Sequence, residues 1–341
     1  MKRSDFLKSS AGIIVGTTAL TSFTPPNAIT QSRIRTYPKA LRRGDLIGIT
    51  APAGSIWNKS HIEKIENILS DQGFKTKVGK TCYQQDGYLA GSDDMRAAEL
   101  MEFFEDKAIK GIVTMRGGWG CQRILDDLDY ETIRNNPKVI IGFSDITSLV
   151  NAIFKHTGLV TYHGPCGYSS WGNFTMDCVT KALVIGEPFT LKNPPEYKEE
   201  PKTWVPGAAQ GQLVGGNLTV LSALVGTKHE PTWAGKILFL EEIGEEPYRV
   251  DRMLWQLKQA NAFTAINGLV LGSFKNCQPE EPHKSFSLDE VLNQHFGNAI
   301  FPAYQGAAFG HIGPKYTLPI GVNAEMDADK FTIRTLERSV G

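Results

Sequence analysis

The chain has 341 residues, more than one ordinary domain needs and enough for two. Hydrophobic residues make up 41% of it and charged residues 21%, which is typical of a globular protein with a substantial core. Lys and Arg together number 36, as do Asp and Glu, and no basic run is present. The composition therefore excludes a strongly basic surface and argues against nucleic acid as a partner.

The first thirty residues predict an export signal. A basic start (residues 1–8) precedes a small apolar stretch (9–23) that is too short for a comfortable transmembrane helix. The start is similar to a twin-arginine signal with Ser4 in place of the second arginine, so the twin-arginine and general secretory routes both stay open. We expect residues 1–30 to be cleaved and the mature protein to be exported to the periplasm without stable membrane insertion. The alternative is an uncleaved N-terminal anchor.

The next part of the chain, residues 35–186, alternates between strand and helix patterns. Apolar runs and helical periodicity predict strands at 46–51, 111–115, 139–143 and 159–162 and helices at 56–72, 93–105 and 145–156. This alternation predicts an α/β domain with a doubly wound parallel sheet. Ligands of such sheets bind outside the carboxyl ends of the strands. Small or polar residues follow three of these ends, at 53–55, 116–120 and 144–145, so we expect them to meet at one crevice.

The rest of the chain has a different organisation. Residues 187–207 are rich in Pro, Glu and Lys and predict an inter-domain linker. Residues 208–338 contain strand and helix patterns without regular alternation, which predicts a smaller, mixed α+β C-terminal domain. Five scattered cysteines lack the paired spacing of a metal site, so the sequence predicts no metal and no cofactor.

Ser144 is the best candidate nucleophile. It lies between the apolar strand 139–143 and the helix 145–156, where its hydroxyl would leave the carboxyl end of the sheet and face the helix N-terminus. A nucleophilic serine needs a base, and the base needs an orienting acid. His311, flanked closely by glycines, is the best base, and His163 at a strand end is its main competitor. Glu241 ends an apolar strand and is the best acid.

Residues 116–120 (Arg-Gly-Gly-Trp-Gly) form a glycine-rich loop after a strand. Such a loop can bring backbone N–H groups close to a substrate oxygen, as an oxyanion hole requires. The sequence lacks the Lys-Ser/Thr of a phosphate loop and the spacing of a dinucleotide-binding loop. On its own the loop is a weak signal, because most glycine loops only turn the chain.

Taken together, these segments resemble the LD-carboxypeptidase family, which includes muramoyltetrapeptide carboxypeptidases and the microcin C immunity peptidase. The matching segments, which span roughly residues 37–336, are 49–53, 116–120, 142–145, 163–165, 215–218, 238–242, 247–252 and 310–311. The resemblance implies a flavodoxin-like N-terminal domain and an active site between two domains. It also implies a homodimer in many members. The family is usually cytoplasmic, so an export signal is a departure from it.

The resemblance implies a Ser144–His311–Glu241 triad and an oxyanion hole. One donor would be the backbone amide of Asp145 and the other that of Gly117 or Gly118, with Gly118 preferred. The implied reaction is metal-free removal of the terminal D-alanine from a tetrapeptide muropeptide.

The free carboxylate of such a substrate needs a polar or cationic partner. Arg116 and Arg249 are the candidate cations, and Asn217 is a candidate polar contact. Two other functions stay open: a peptidase of the same fold acting on another amide, with Trp171 or Trp204 stacking a base, and an exported binding protein with no reactive serine.

Overall fold

Two β-sheets organise the residues that the computed structural model describes, 34–341. The predicted export signal, residues 1–30, lies outside the described residues. The strands are β1 (Leu46–Thr50), β2 (Lys75–Val78), β3 (Ile109–Thr114), β4 (Val139–Gly142), β5 (Thr161–His163), β6 (Thr190–Leu191), β7 (Lys202–Val205), β8 (Ala208–Asn217), β9 (Lys236–Ile243), β10 (Gly268–Lys275), β11 (Ala303–Gln305), β12 (Leu318–Ile320), β13 (Asn323–Asp327) and β14 (Thr332–Thr335).

Helices cover and connect these sheets. They are α1 (Ser60–Asp71), α2 (Asp93–Glu105), α3 (Cys121–Ile124), α4 (Tyr130–Asn135), α5 (Ile146–Thr157), α6 (Asn173–Thr180), α7 (Leu218–Leu224), α8 (Pro247–Gln259), α9 (Ala262–Ala265) and α10 (Leu288–Phe296). Within residues 34–341, every helix is too short or too polar to cross a membrane.

The first sheet confirms the predicted doubly wound α/β architecture. Its strand order is β12-β5-β4-β3-β1-β2, and β1 to β5 are parallel to their neighbours. The order 2-1-3-4-5 within it is that of flavodoxin-like sheets. Every residue of the central strand β4 is buried, because helices cover both faces of the sheet. This explains the continuous apolar run in the sequence.

The second sheet has both parallel and antiparallel strands, and together with its helices it gives the α+β organisation predicted for the C-terminal part of the chain. Its order is β6-β14-β13-β8-β9-β10-β11-β7, with parallel pairing from β8 to β11 and antiparallel pairing toward both edges. The central strand β9 is buried along most of its length and carries Glu241 near its carboxyl end. Ser144, just after β4, and Glu241, near the end of β9, are thus both positioned by central strands, whereas His311 lies in the loop between β11 and β12.

The segment 187–207, predicted as a linker, contains two short strands of the second sheet. In it β6 pairs with β14 and β7 pairs with β11. Runs of two and four residues in a stretch rich in proline are too short to show a period of two, so no pattern in the sequence predicted these strands. The C-terminal part of the chain also contributes a strand to the first sheet, since β12 pairs with β5. The bounds predicted for the two domains, 35–186 and 208–338, stay predictions.

Candidate active site

Ser144 occupies a tight turn between β4 and α5. Its backbone φ is +65°, in the left-handed region that residues other than glycine rarely adopt. The turn is held from both sides, because β4 lies in the middle of the sheet and α5 is buried over most of its surface. Holding a serine in such a conformation costs about 1 kcal/mol or more, and conformations of this kind cluster at functional sites.

The structure brings Ser144, His311 and Glu241 together in a hydrogen-bonded chain. The Nε2 atom of His311 lies 3.2 Å from Oγ of Ser144, and its Nδ1 atom lies 2.7 Å from Oε2 of Glu241. The carboxylate of Glu241 is fully buried, whereas the imidazole keeps 18% of its side chain exposed. One nitrogen therefore faces the serine and the other is fixed by a carboxylate, which is the arrangement that activates a serine hydroxyl.

Gly310 allows His311 to approach Glu241. Its φ is +106°, and a Cβ atom at this position would lie 2.8 Å from Oε2 of Glu241 and 2.9 Å from its Cβ. Any larger residue would be strained and would push the loop away from the carboxylate. Glycine is therefore required at position 310, because a side chain there would clash with Glu241.

The glycine loop lies against the Ser144 turn. A Cβ atom on Gly117 would lie 2.8 Å from both Oγ of Ser144 and the backbone nitrogen of Asp145, so only glycine allows the loop to lie this close to the turn. The carbonyl oxygen of Gly117 accepts a hydrogen bond from the N–H of Gly54 at 3.1 Å. The three strand ends at 53–55, 116–120 and 144–145 therefore meet at one crevice, as the sequence predicts. Gly118, the preferred second donor, is exposed and has a φ of +100°.

Asp145 is buried beneath the same loop. Oδ2 of its carboxylate accepts a hydrogen bond from the N–H of Cys121 at 2.8 Å, and its Oδ1 atom has no partner among the described residues. Burial raises the pKa of Asp145 to about 6, although the bond from Cys121 favours the charged form. The backbone of Asp145 is the predicted oxyanion donor, whereas its side chain anchors the first turn of α3, where the glycine loop ends.

His163, the competing base, and Glu242, the neighbour of the candidate acid, have other surroundings. His163 is buried among aromatic rings, and neither of its ring nitrogens has a partner within residues 34–341. Burial lowers its pKa to about 4, which keeps the ring neutral. Glu242 points away from His311 and accepts hydrogen bonds from the side chain of Asn217 at 3.0 Å and the amide of Thr219 at 2.8 Å.

The three predicted substrate-binding residues are separated in the structure. Arg116 lines the cavity at Ser144, and its guanidinium donates to the carbonyl oxygen of Ser55 at 2.9 Å. The side chain of Asn217 is instead used within the fold, because its Oδ1 caps α7 by accepting from the N–H of Val220. Arg249 is on the exposed surface of α8, 3.7 Å from Glu245, and lines a different cavity. Only Arg116 is placed to contact a molecule at Ser144.

The cavity at Ser144 also contains lysines that the sequence interpretation missed. Its volume is about 580 Å³, and Lys275 and Lys315 line it together with Tyr168 and Ser169. Lys275 ends β10, and Lys315 follows His311 by four residues in a segment without periodicity. The proximity of Lys315 to the candidate base along the chain was the one available signal.

Metal ligation finds no support in the side-chain arrangement. Within the described part of the chain, no group of three or more His, Cys, Asp or Glu side chains is placed to hold a metal ion. All five cysteines are buried and free.

Ser144 follows a strand of the doubly wound sheet and Glu241 lies on the second sheet, and the Ser–His–Glu chain that His311 completes has the geometry of a serine-type hydrolase. Comparison with protein families specifies this class. Residues 47–164 match the LD-carboxypeptidase N-terminal domain and residues 210–326 match the LD-carboxypeptidase C-terminal domain. The chain belongs to the LD-carboxypeptidase family.

Three relatives illustrate the range of the family. The chain is 42% identical over 302 residues to a probable murein peptide carboxypeptidase of Bacillus subtilis, covering 86% of this chain and 92% of the relative. It is 29% identical over 328 residues to the microcin C7 self-immunity protein MccF of Escherichia coli, covering 86% and 94%. The crystal structure of muramoyltetrapeptide carboxypeptidase from Oxalobacter formigenes superposes with a TM-score of 0.74 at 28% identity, covering 85% of this chain and 97% of that one.

Proposed function

We propose that this protein is a serine LD-carboxypeptidase that removes the terminal D-alanine from tetrapeptide muropeptides. The observation that carries the proposal is the hydrogen-bonded chain from Ser144 through His311 to Glu241 at the open end of the first sheet. The names of the relatives from Bacillus subtilis and Oxalobacter formigenes support a murein peptide as the substrate.

In the proposed reaction His311 accepts the proton of Ser144 through Nε2 while Oγ attacks the scissile carbonyl carbon. That carbonyl belongs to the L-configured third residue, a diaminopimelate or a lysine. Glu241 holds the imidazole in the tautomer that presents a free Nε2 and stabilises the imidazolium as it forms. The proton then passes to the leaving amine and D-alanine departs. His311 next takes a proton from water, which attacks the acyl carbon, and returns it to Oγ of Ser144 as the acyl-enzyme breaks.

The negative oxygen that forms at the carbonyl requires hydrogen-bond donors. The backbone N–H of Asp145 lies at the start of α5, where the helix dipole also favours negative charge. The backbone of Gly117 lies close to both this nitrogen and Oγ of Ser144, since a Cβ atom on it would be 2.8 Å from each, so the glycine loop borders the point of attack. We propose that Gly117 or Gly118 provides the second donor.

The test is mass spectrometry of a disaccharide-tetrapeptide incubated with the wild-type protein or with Ser144→Ala, each with and without EDTA. We expect wild type alone to release one D-alanine, with no effect of the chelator. Activity that survives in Ser144→Ala would refute the assignment of the nucleophile, and inhibition by EDTA would refute a metal-free reaction. An inert wild-type protein that still binds the peptide would favour the binding-protein alternative.

A second candidate substrate follows from the similarity to the microcin C7 self-immunity protein. Stacking of a base was predicted to involve Trp171 or Trp204, but neither residue lines the cavity at Ser144. The indole N–H of Trp171 donates to the carbonyl of Cys166 at 3.0 Å, and the ring of Trp204 packs under the ammonium of Lys202. These positions favour the muropeptide. A substrate panel containing an aminoacyl sulfamoyl adenosine would reverse this preference if only that compound were cleaved.

The site of action and the assembly state are further parts of the proposal. We propose that the protein trims muropeptides after export and acts as a homodimer. Fractionation of cells that express the full chain tests the first point, and light scattering of the purified protein tests the second.

A further inference from the structure

Lys315 is a buried cation at the wall of the cavity that contains Ser144. The residue is 3% exposed, and its Nζ atom lies 3.4 Å from Oγ of Ser169 and 4.1 Å from the centre of the Phe143 ring. All three residues line the cavity. The ammonium group is thus withdrawn from bulk water but directed toward the space that a substrate would fill.

This ammonium makes no ion pair. Among residues 34–341, Nζ of Lys315 has no carboxylate oxygen within 4.0 Å; the charge of Glu241 acts on it only from a longer distance, and its one hydrogen bond, to Ser169, is long. Lys138, another buried lysine, differs in this respect, because its Nζ donates to two backbone carbonyl oxygens, those of Phe103 and Asp106. Burying a charge without a partner is costly, so it persists where a function needs it. Burial lowers the pKa of Lys315 to about 8, which still leaves most of the population charged at neutral pH.

The ring of Phe143 relates Lys315 to the reacting atoms. Phe143 immediately precedes Ser144, and its ring centre lies 4.9 Å from that of His311 as well as 4.1 Å from Nζ of Lys315. The imidazole and the ammonium therefore contact the same ring. In a carboxypeptidase substrate the terminal carboxylate lies roughly 3 to 5 Å from the scissile carbonyl carbon, because only one nitrogen and one Cα separate them. A cation that binds this carboxylate must therefore line the same cavity as the nucleophile, as Lys315 does.

We propose that Lys315, assisted by the hydroxyl of Ser169, binds the free carboxylate of the residue that leaves. The contact would restrict cleavage to the last peptide bond, since an internal bond has an uncharged amide at this position. The sequence suggested Arg116 and Arg249 for this role, but Arg249 lines a different cavity and the guanidinium of Arg116 already donates to the carbonyl oxygen of Ser55. The assignment to Lys315 rests on the proposed carboxypeptidase function. Without a substrate, the face of Phe143 partly stabilises the ammonium.

A pair of substrates that differ only in the terminal group tests the proposal. One is the tetrapeptide ending in D-alanine and the other is the same peptide ending in D-alaninamide. We expect kcat/KM of wild type to be about 30-fold or more higher for the acid, in line with the loss of a buried charged contact. Lys315→Met should lose about this factor on the acid and show no preference between the two. Lys315→Arg, which keeps the charge, should retain a preference for the acid.

Lys275→Met is the matched control. Lys275 lines the same cavity but is exposed at the end of β10, so water already solvates its charge. We expect this variant to keep the preference for the acid within about threefold, because exposed ion pairs contribute little. An equal loss on both substrates in Lys315→Met would overturn the proposal, since it would identify Lys315 as a positioning residue that only holds Phe143.

Binding to a protein that cannot react separates this proposal from the proposed reaction. Calorimetry with Ser144→Ala should show tighter binding of the acid than of the amide, and the difference should vanish when Lys315→Met is added. This result together with an inert wild type would retain the carboxylate site and reject the reaction. Equal affinities for acid and amide in Ser144→Ala would reject the carboxylate site whatever the wild type cleaves.

Discussion

The side-chain carboxylate of Asp145 accepts a hydrogen bond from the backbone N–H of Cys121 at 2.8 Å. This contact ties the turn that holds Ser144 to the first residue of α3, which directly follows the glycine loop. The two proposed sources of oxyanion donors, the turn and the loop, are therefore fixed to each other by one buried carboxylate. The same burial raises the pKa of Asp145 to about 6.

This raised pKa predicts a pH-dependent stability difference between wild type and Asp145→Asn. In the unfolded chain an aspartate has a pKa near 3.9, so between about pH 4 and pH 6 the unfolded state releases its proton before the folded state does. Ionisation of Asp145 therefore lowers the free energy of unfolding as pH rises through this window, by about 3 kcal/mol in total. Asparagine does not titrate. We expect the stability of Asp145→Asn relative to wild type to increase by about this amount from pH 4 to pH 7.

Urea unfolding of both proteins at a series of pH values checks this prediction. The slope of the difference with pH is the diagnostic quantity, because a constant offset reports only how well asparagine fits the site. A difference that does not change between pH 4 and pH 7 would contradict the description of Asp145 as a buried, destabilised carboxylate.

Alanine at Gly117 should mainly lower activity, whereas alanine at Gly118 should mainly lower stability. A Cβ atom at Gly117 would lie 2.8 Å from Oγ of Ser144 and from the nitrogen of Asp145, so it would push the glycine loop and the Ser144 turn apart and displace the proposed oxyanion donors. We expect kcat of Gly117→Ala to fall by about 100-fold or more, the usual cost of losing an oxyanion contact. At Gly118 the nearest neighbour of a Cβ atom is the guanidinium of Arg116, 3.2 Å away, which can move.

Gly118→Ala should therefore lose stability rather than rate. Its φ of +100° disfavours a side chain, which costs about 1 to 3 kcal/mol. Steady-state kinetics and urea unfolding of the two variants make the comparison. A larger fall in kcat for Gly118→Ala than for Gly117→Ala would shift the proposed oxyanion position toward the amide of Gly118.

The adjacent carboxylates Glu241 and Glu242 should likewise separate activity from stability. Glu241→Gln can still accept or donate at Nδ1 of His311, but it no longer stabilises an imidazolium or enforces the reactive tautomer. We expect kcat to fall by about 100- to 10,000-fold with a small change in stability. Glu242→Gln would place an amide NH₂ against the donors of Asn217 and Thr219.

For Glu242→Gln we expect a loss of about 1 to 3 kcal/mol in the free energy of unfolding, because a buried donor would face another donor. Its kcat should stay within about tenfold of wild type. Parallel kinetics and unfolding curves test both variants. A catalytic loss in Glu242→Gln as large as that in Glu241→Gln would show that the two carboxylates act as one unit.

Much of this architecture was predictable from the sequence, because it depends on patterns that are local in the chain. Burial explains the apolar run of β4, and close approach to Glu241 explains the glycine before His311. Both features are visible within a few consecutive residues of the sequence. The catalytic roles of Ser144, His311 and Glu241 remain predictions, although the structure brings the three side chains within hydrogen-bond distance of one another.

What the sequence did not reveal depends on contacts between distant segments. The isolated segment around Lys315 has no period and no composition that indicates burial; the lysine becomes buried because Phe143 and Ser169, far away in the chain, pack against it. In the same way, the side chain of Asn217 is occupied by Glu242, which lies on the neighbouring strand. Polarity alone therefore predicted that Asn217 contacts the substrate, whereas its side chain forms hydrogen bonds within the protein.

The strained conformation of Ser144 predicts that replacing it with glycine raises the stability of the protein while abolishing its activity. At a φ of +65°, glycine avoids the steric cost that any Cβ atom incurs, so Ser144→Gly should be about 1 kcal/mol more stable than Ser144→Ala. Both variants lack the nucleophile and should lose several orders of magnitude in kcat. Asn261, with a φ of +61°, provides the control, since asparagine tolerates this region. Asn261→Gly should change the free energy of unfolding by less than Ser144→Gly does, and equal stabilities of the glycine and alanine variants at Ser144 would show that the turn is not strained.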